Sequence, residues 1–428
     1  MLVWLQTRLG FQRGFERSKL LVIAALGVTK DPTAMKDKAT GSLDRRDFVI
    51  ASLATVGASA AFAATAGAAE AQDKTASPQP TGTAYTGDLI GGKKVISSLD
   101  VRDLDPGRKH AFYFQGVQMP TGQHWYVSVM VAKGAKPGKR IALVSGVHGD
   151  EISPVHTIQT VMDRLDPTQM SGVVLAVLDV SRPAIEGMSR RWPNSGRGID
   201  LIDINREWPG NENGASAPSR HAGLLFNRLL KSNADYAIDF HTSATGMDMA
   251  AFHLARMDLP DVRAMAELFP IDQIFDNPGY PGLLANAFID AGIPAFTPEI
   301  GAPRILDLGM IPLFVEGTMN VLKHHGIITG PMGCTGRDTD IFVANSGHIV
   351  LATQGGFVEL LVELNDKVET GQKVAIQRNT FGEVVAEYTS EVAGEIAVRR
   401  TDATAEPGTL LLAILYNRAP PESISYSE

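Results

Sequence analysis

Apolar positions along the middle of the chain alternate between two rhythms. "KRIALVSGVHGDE" reads as a strand, a tight loop and a helix start. "ISPVHTIQTVMDRL" carries helical apolar spacing, and "GVVLAVLDV" is a short continuous run of the kind buried on both faces of a sheet. The alternation continues through the amphipathic helix "HAGLLFNRLLKSN", the strand "ADYAIDFHT", the helix "GLLANAFIDAG", the strand "IPAFTPEIG" and the helix "MIPLFVEGTMNVLKHHG". Upstream, from about residue 85 to 135, strand-like pieces such as "HWYVSVMVAK" alternate with Gly/Pro turns. Strands alternating with helices predict an α/β layered domain over residues 85–335, with a largely parallel or mixed sheet.

The pattern changes after about residue 335. "GGFVELLVELNDKVETGQKVAI" and "FGEVVAEYTSEVAGEIAVRRTDATAEPGTLLLAIL" hold short Val-rich strands and regularly spaced glycines, with no helical period. Residues 336–428 therefore read as a small all-β domain. The pattern V-x-x-G-x-x-V, followed by G-E-I-x-V, resembles a lipoyl/biotinyl-type β-sandwich. The turn that would carry the prosthetic group, near "QRNTFGEV", has no lysine, so the domain reads as structural.

The N-terminal 71 residues have a different character. "SLDRRDF" precedes the uncharged Ala-rich run "VIASLATVGASAAFAATAGAA", and Ala69 and Ala71 stand in the A-x-A spacing of a signal-peptidase site. The alternative, a retained membrane helix of similar length, would normally be richer in Leu, Ile and Phe. Arg45-Arg46 before a weakly hydrophobic segment resembles a twin-arginine export signal. This predicts passage through the twin-arginine machinery, cleavage by signal peptidase near Gln72, and a periplasmic location. Residues 1–34 fit no part of such a signal, and Met35 is a plausible true start. Residues 72–84 read as a Pro/Gly/Thr linker.

With 428 residues, 44% hydrophobic and 20% charged, the chain has material for a large core and two or more domains. The formal net charge of −8 and the lack of a basic stripe argue against a nucleic-acid partner. A single cysteine, Cys334, excludes an internal disulfide framework and a Cys-based zinc cluster. A metal would have to be held by His, Asp and Glu.

Three polar clusters sit at predicted strand ends, where ligands bind in α/β sheets. They are His148 with Glu151, His241 in "IDFHT", and Glu299 in "FTPEIG". Each has a bland reading as a solvated loop or hydrogen-bonded strand-end residue. His148 and Glu151 can reach one ion from one side, and His241 would supply a third ligand of the His and carboxylate type that catalytic zinc takes. Between them, "SRRWPNSGRGIDLIDINREWPG" packs arginines into an apolar-flanked loop.

"HGDE", "DINREWPG", "DFHT" and "TPEIG" occur in the order and at roughly the separations found in the succinylglutamate desuccinylase/aspartoacylase family, relatives of the zinc carboxypeptidases. The resemblance spans about residues 85–415 and implies a zinc-carboxypeptidase-like α/β/α domain with a mixed sheet, followed by the small β-domain. It implies one Zn2+ per chain, held by His148, Glu151 and His241. It also implies a general base at Glu299 and a substrate-carboxylate site at Asn205 and Arg206. Arg191, in the "RW" before that pair, looks like a further arginine of the pocket, and Tyr280 could supply a substrate-side hydroxyl. Asp239 could orient a ligating histidine. The family usually has HGNE, so Asp150 is a departure at a non-ligand position, with little effect on zinc expected.

The expected activity is that of a zinc-dependent amidohydrolase, a deacylase of N-acyl amino acids or similar small carboxylates, in which water activated by zinc is deprotonated by Glu299. The alternative is a zinc carboxypeptidase acting on peptides or peptidoglycan fragments, with the same site chemistry. A non-catalytic binder would have no need for Glu299, and no G-x-S-x-G elbow supports a serine esterase.

Overall fold

The continuous apolar runs in the middle of the chain become the centre of one large mixed sheet. Residues 82–194 and 200–418 are described by the computed structural model of the chain. The export signal, most of the linker and Arg197 lie outside the described residues.

In chain order the first strands are β1 (Ala84–Ile90), β2 (Lys93–Ser98), β3 (Arg108–Gln118), β4 (His124–Lys133), β5 (Lys136–Val144) and β6 (Ser171–Val177). They are followed by β7 (Trp192–Asn194), β8 (Asp200–Ile202), β9 (Tyr236–Asp239), β10 (Met247–Met249), β11 (Ala251–Ala255), β12 (Gln273–Asp276), β13 (Ala295–Ile300) and β14 (Phe342–Ala344). Eleven of them form a sheet in the order β1-β2-β3-β4-β6-β5-β9-β13-β11-β12-β14, while β7 and β8 pair only with each other. At its centre β5 runs parallel to β6 and β9, and β13 runs parallel to β9.

Burial on both faces explains the lack of polar alternation in these strands: Ile141, Ala142, Leu143 and Val144 of β5 are all fully buried. The helices Ser153–Arg164, Pro260–Ala266 and Ile311–His324 cover one face through Ile158, Met162, Val262, Phe314 and Val321. Ala217–Leu225 and Leu284–Asp290 cover the other through Leu225, Leu284 and Phe288. Each large aliphatic or aromatic side chain so buried contributes roughly 1.5–3 kcal/mol. This is the α/β/α layering expected, but one helix starts earlier than its apolar spacing suggested. Ser216 accepts a hydrogen bond from the Ser219 N–H and Pro218 occupies the first turn, so the helix opens at Ala217 and passes into a wider turn at Phe226–Leu230.

Residues 346–418 fold as β15 (Ser346–Leu351), β16 (Gly356–Leu360), β17 (Lys367–Val368), β18 (Lys373–Arg378), β19 (Val384–Thr389), β20 (Gly394–Arg400), β21 (Thr404–Ala405) and β22 (Leu410–Tyr416). Two sheets, β10-β20-β22-β15 with β17 on β20, and β19-β18-β16-β21, enclose a core that includes Val350, Val374, Ile396, Leu411 and Ile414. The division at residue 335 is crossed twice. Phe342–Ala344 extends the large sheet at β12, and Met247–Met249 pairs with β20. Among the described residues, no helix is long and apolar enough to cross a membrane.

Candidate metal centre and active site

The site lies at the carboxyl ends of β5, β9 and β13. After Val144 the chain must turn sharply against β6 and the segment that follows it. Gly146 adopts φ +68°, and a side chain at Gly149 would strike the Ala184 backbone, since its Cβ would fall 2.0 Å from the Ala184 carbonyl carbon. The Ser145 N–H and hydroxyl bond the Val177 and Leu178 carbonyls. This pinned turn delivers His148 and Glu151, both buried. Two residues beyond β9, His241 arrives beside them, and a β-bridge pairs it with Glu299 of β13.

The three predicted ligands converge. His148 Nδ1 lies 2.7 Å from Glu151 Oε1, His241 Nδ1 lies 2.7 Å from Glu151 Oε2, and the two Nδ1 atoms are 3.1 Å apart. Donors bound to a tetrahedral zinc at ~2.0–2.1 Å would stand about 3.3 Å from one another, so the spacing suits such an ion. The rings are held from behind. His148 Nε2 is 2.9 Å from Asp203 Oδ1 and His241 Nε2 is 3.0 Å from Asp239 Oδ2. A carboxylate at Nε2 favours the tautomer that carries its proton there and leaves the Nδ1 lone pair for a cation. Glu151 Oε2 also accepts the Thr242 N–H at 3.2 Å.

Burial opposes ionisation of Glu151, but the His148 and His241 imidazoles outweigh it and hold its carboxyl well below the usual carboxylate range. Burial likewise opposes the charge on His241, yet Asp239 and Glu151 raise its affinity for a proton well above that of an ordinary histidine. A set of groups that binds positive charge so strongly fits a divalent cation in chemistry as well as spacing.

Glu299 has the opposite character. The residue is half-buried, but its Oε2 is buried and has no hydrogen-bond partner among the described residues. Burial, with Glu151 and Asp239 nearby, pushes its carboxyl up to about 8 against the pull of His241 and Arg190. A carboxyl with an unpaired buried oxygen beside the ligand set has the position a general base needs, and a cation held by that set would draw it toward the ionised form.

The short turn Ile204–Arg206 brings in the "DINR" residues, with Asp203 accepting the Asn205 N–H at 2.9 Å. Asn205 is buried, its Oδ1 accepts the Leu284 N–H, and its Nδ2 lies 3.3 Å from His241 Nε2. The Arg206 guanidinium is 3.9 Å from Asp203 and 5.6 Å from the centroid of the Tyr280 ring. With its side chain 46% exposed, it remains open to an anionic ligand. Tyr280 is itself exposed beside it, on the outer side of the site.

The arginines divide differently from the sequence expectation. Arg190 donates to Glu151 Oε1 at 2.7 Å and approaches Asp203 at 3.8 Å, whereas Arg191 is exposed and its backbone bonds Ser189 Oγ. The structure thus brings Arg190, and not Arg191, to the ligand set. Neighbouring residues on an irregular segment face different ways, and no periodicity distinguishes one from the other in the sequence. Asp203 was readable only as a polar loop residue, although its place two positions before Asn205 was a usable signal.

The model of the succinylglutamate desuccinylase/aspartoacylase catalytic domain matches residues 137–325, the segment that carries every residue of this site. The N-alpha-acetyl-L-2,4-diaminobutyric acid deacetylase of Halomonas elongata is 25% identical, with the alignment covering 67% of this chain and 85% of that protein. A succinylglutamate desuccinylase/aspartoacylase structure from Rhodobacter sphaeroides superposes with a TM-score of 0.63 at 22% identity, covering 74% of this chain and 98% of that one. The product-bound structure of the ectoine utilization protein EutE (DoeB) from Ruegeria pomeroyi superposes with a TM-score of 0.66 at 20% identity, covering 79% of this chain and all of that one, 100%. Residues 137–325 therefore carry a catalytic domain of the succinylglutamate desuccinylase/aspartoacylase family.

Proposed function

We propose that the chain is a zinc-dependent amidohydrolase that removes the acyl group from an N-acyl amino acid or a similar small carboxylate. The observation that carries this reading is the juxtaposition of His148, Glu151 and His241 with the unpaired carboxyl of Glu299. The deacetylase of Halomonas elongata supports the N-acyl amino acid as substrate class.

A divalent zinc held by the three ligands would supply Lewis acidity, polarising the scissile carbonyl and acidifying water. The chain's own residues do the rest. Arg206 forks onto the substrate carboxylate, and Asn205 fixes the neighbouring segment through Leu284. Arg190 stands at the ligand set with its charge directed inward, where it can donate to the acyl oxygen as negative charge develops. Glu299 takes the proton of the attacking water and passes it to the leaving nitrogen, so the amine departs neutral.

We further read the protein as periplasmic, exported by the twin-arginine route and cleaved near Gln72, and its C-terminal part as a structural sandwich of lipoyl type. Intact mass of the protein from the periplasmic fraction tests both. A chain beginning near Gln72 with no added prosthetic group is expected, whereas an uncleaved N-terminus or a lipoyl adduct would contradict one or the other.

The activity itself is tested by offering the zinc-loaded chain a panel of N-acyl amino acids alongside dipeptides and peptidoglycan peptides. Release of the free amino acid from the acyl compounds at the higher kcat/KM is expected. Preference for peptide carboxyl ends would support the carboxypeptidase alternative instead.

A further inference from the structure

Asp150 sits between two metal ligands but does not face them. It is fully buried, and its Oδ2 accepts both the N–H and the hydroxyl of Thr245, at 3.0 and 2.7 Å. Its carbonyl accepts the Arg304 N–H at 2.7 Å. One residue of the His148–Glu151 turn thus fastens both the loop that follows His241 and the loop that follows Glu299.

The loop after His241 leads out of the large sheet. Thr242 donates to Glu151, and Ser243 is tied to the Gly301 carbonyl through both its N–H and its hydroxyl. Beyond Thr245 the chain enters β10, which pairs with β20 of the C-terminal sheet at Met247↔Arg400, Asp248↔Arg399 and Met249↔Val398. The Gly246 carbonyl accepts the Thr401 N–H at 2.9 Å, and Asp248 pairs with Arg399 at 3.5 Å. Gly246 has φ +86°, and a Cβ there would lie 2.6 Å from Asp402 Oδ2. The ligand His241 is therefore one short, fully tethered loop away from a strand of the second domain.

We propose that Asp150 is a positioning residue that latches the metal-ligand turn to Thr245, and that through this loop the C-terminal β-sheet holds His241 in register with His148 and Glu151. The proposal rests on the zinc site described above. A carboxylate suits the latch because two donors converge on one oxygen. Asparagine can accept the same pair through its amide oxygen, so the latch depends on an acceptor and not on charge.

The test is zinc affinity of the folded chain, measured by competition with a chromogenic chelator, together with the melting temperature of the metal-free protein. Asp150→Ala is expected to weaken zinc by about 10–100-fold, the range for groups that support ligands from outside the coordination sphere. Asp150→Asn is expected to restore most of that loss. Thr245→Ala removes one of the two bonds at an exposed residue and should shift affinity the same way by less. Gly246→Ala should weaken zinc from the C-terminal side, although it touches no ligand. Thr245→Ala and Gly246→Ala carry the test should Asp150→Ala fail to fold. Wild-type affinity in Asp150→Ala or in both of the other variants would overturn the latch alone. So would an Asp150→Asn chain as weak as Asp150→Ala. A wild-type chain that binds no zinc would refute the metal site and this inference with it.

Discussion

His241 and Glu299 are paired in a β-bridge where β9 and β13 end, so a metal ligand and the proposed base are spaced by main-chain hydrogen bonding and not by flexible loops. The Pro298 carbonyl accepts the His241 N–H, and the His241 carbonyl accepts the Ile300 N–H, both at 2.8 Å. A site built this way tolerates little displacement of either side chain, which sharpens the expected effects of substitution.

Asp239 should matter to the metal although it does not touch it. Its carboxylate is buried behind His241 Nε2, 3.0 Å away. Asp239→Asn should weaken zinc binding by roughly 10–100-fold, because the amide no longer favours the tautomer that leaves Nδ1 free. Equal zinc retention during dialysis of wild type and variant would show that the carboxylate does not set the ligand.

Arg190 and Arg191 provide a direct contrast between neighbours. Arg190 contacts Glu151 and approaches Asp203, while Arg191 is exposed. Arg190→Ala should lower kcat by about 10²–10³-fold, as loss of a donor to developing charge does. Arg191→Ala should change kcat/KM by less than about threefold, as expected at an exposed position. The reverse order of effects would return the catalytic arginine to position 191.

Arg206 should act on capture. Its half-exposed guanidinium, beside Tyr280 and 3.9 Å from Asp203, is an open cation near the ligand set. Arg206→Lys loses the planar fork and should raise KM about tenfold or more with a smaller change in kcat. Wild type should discriminate against a substrate whose carboxyl is amidated. Equal kcat/KM for acid and amide would remove Arg206 from substrate binding.

The strand-end histidines and glutamates were legible as positions because each lies at the end of a predicted strand, while their roles as ligands and base came from the resemblance of the four ordered motifs. His148, Glu151, His241 and Glu299 all belong to this class. Arg190 was not legible, because it stands on an irregular segment next to an identical residue. Nor was β10: Met247–Met249 is too short to show a period, and its partner β20 lies about 150 residues further along the chain. The start of the helix at Ala217 was signalled by Ser216 and Pro218, but local cap chemistry is easily masked by the stronger apolar period that begins after it.

The raised carboxyl of Glu299 has a thermodynamic consequence in the metal-free chain. The unfolded side chain loses its proton near 4.5, whereas the folded one keeps it up to about 8. The native state therefore binds more protons across that window, and this group makes stability fall as pH rises from about 4.5 to about 8, with no further loss above it. Glu299→Gln removes the contribution. With zinc chelated, the melting temperature of the variant should exceed that of wild type by a margin that grows toward pH 8. A gap that does not change with pH would mean that Glu299 is ionised throughout.

The most direct measurement is kcat of Glu299→Gln on a preparation whose zinc content is determined at the same time. Glutamine keeps the size and shape of the side chain and removes only the proton acceptor. The variant should hold one zinc per chain and bind substrate normally, with kcat lower by roughly 10²–10⁴-fold. A zinc-loaded Glu299→Gln protein with near-normal kcat would contradict the mechanism proposed for this site.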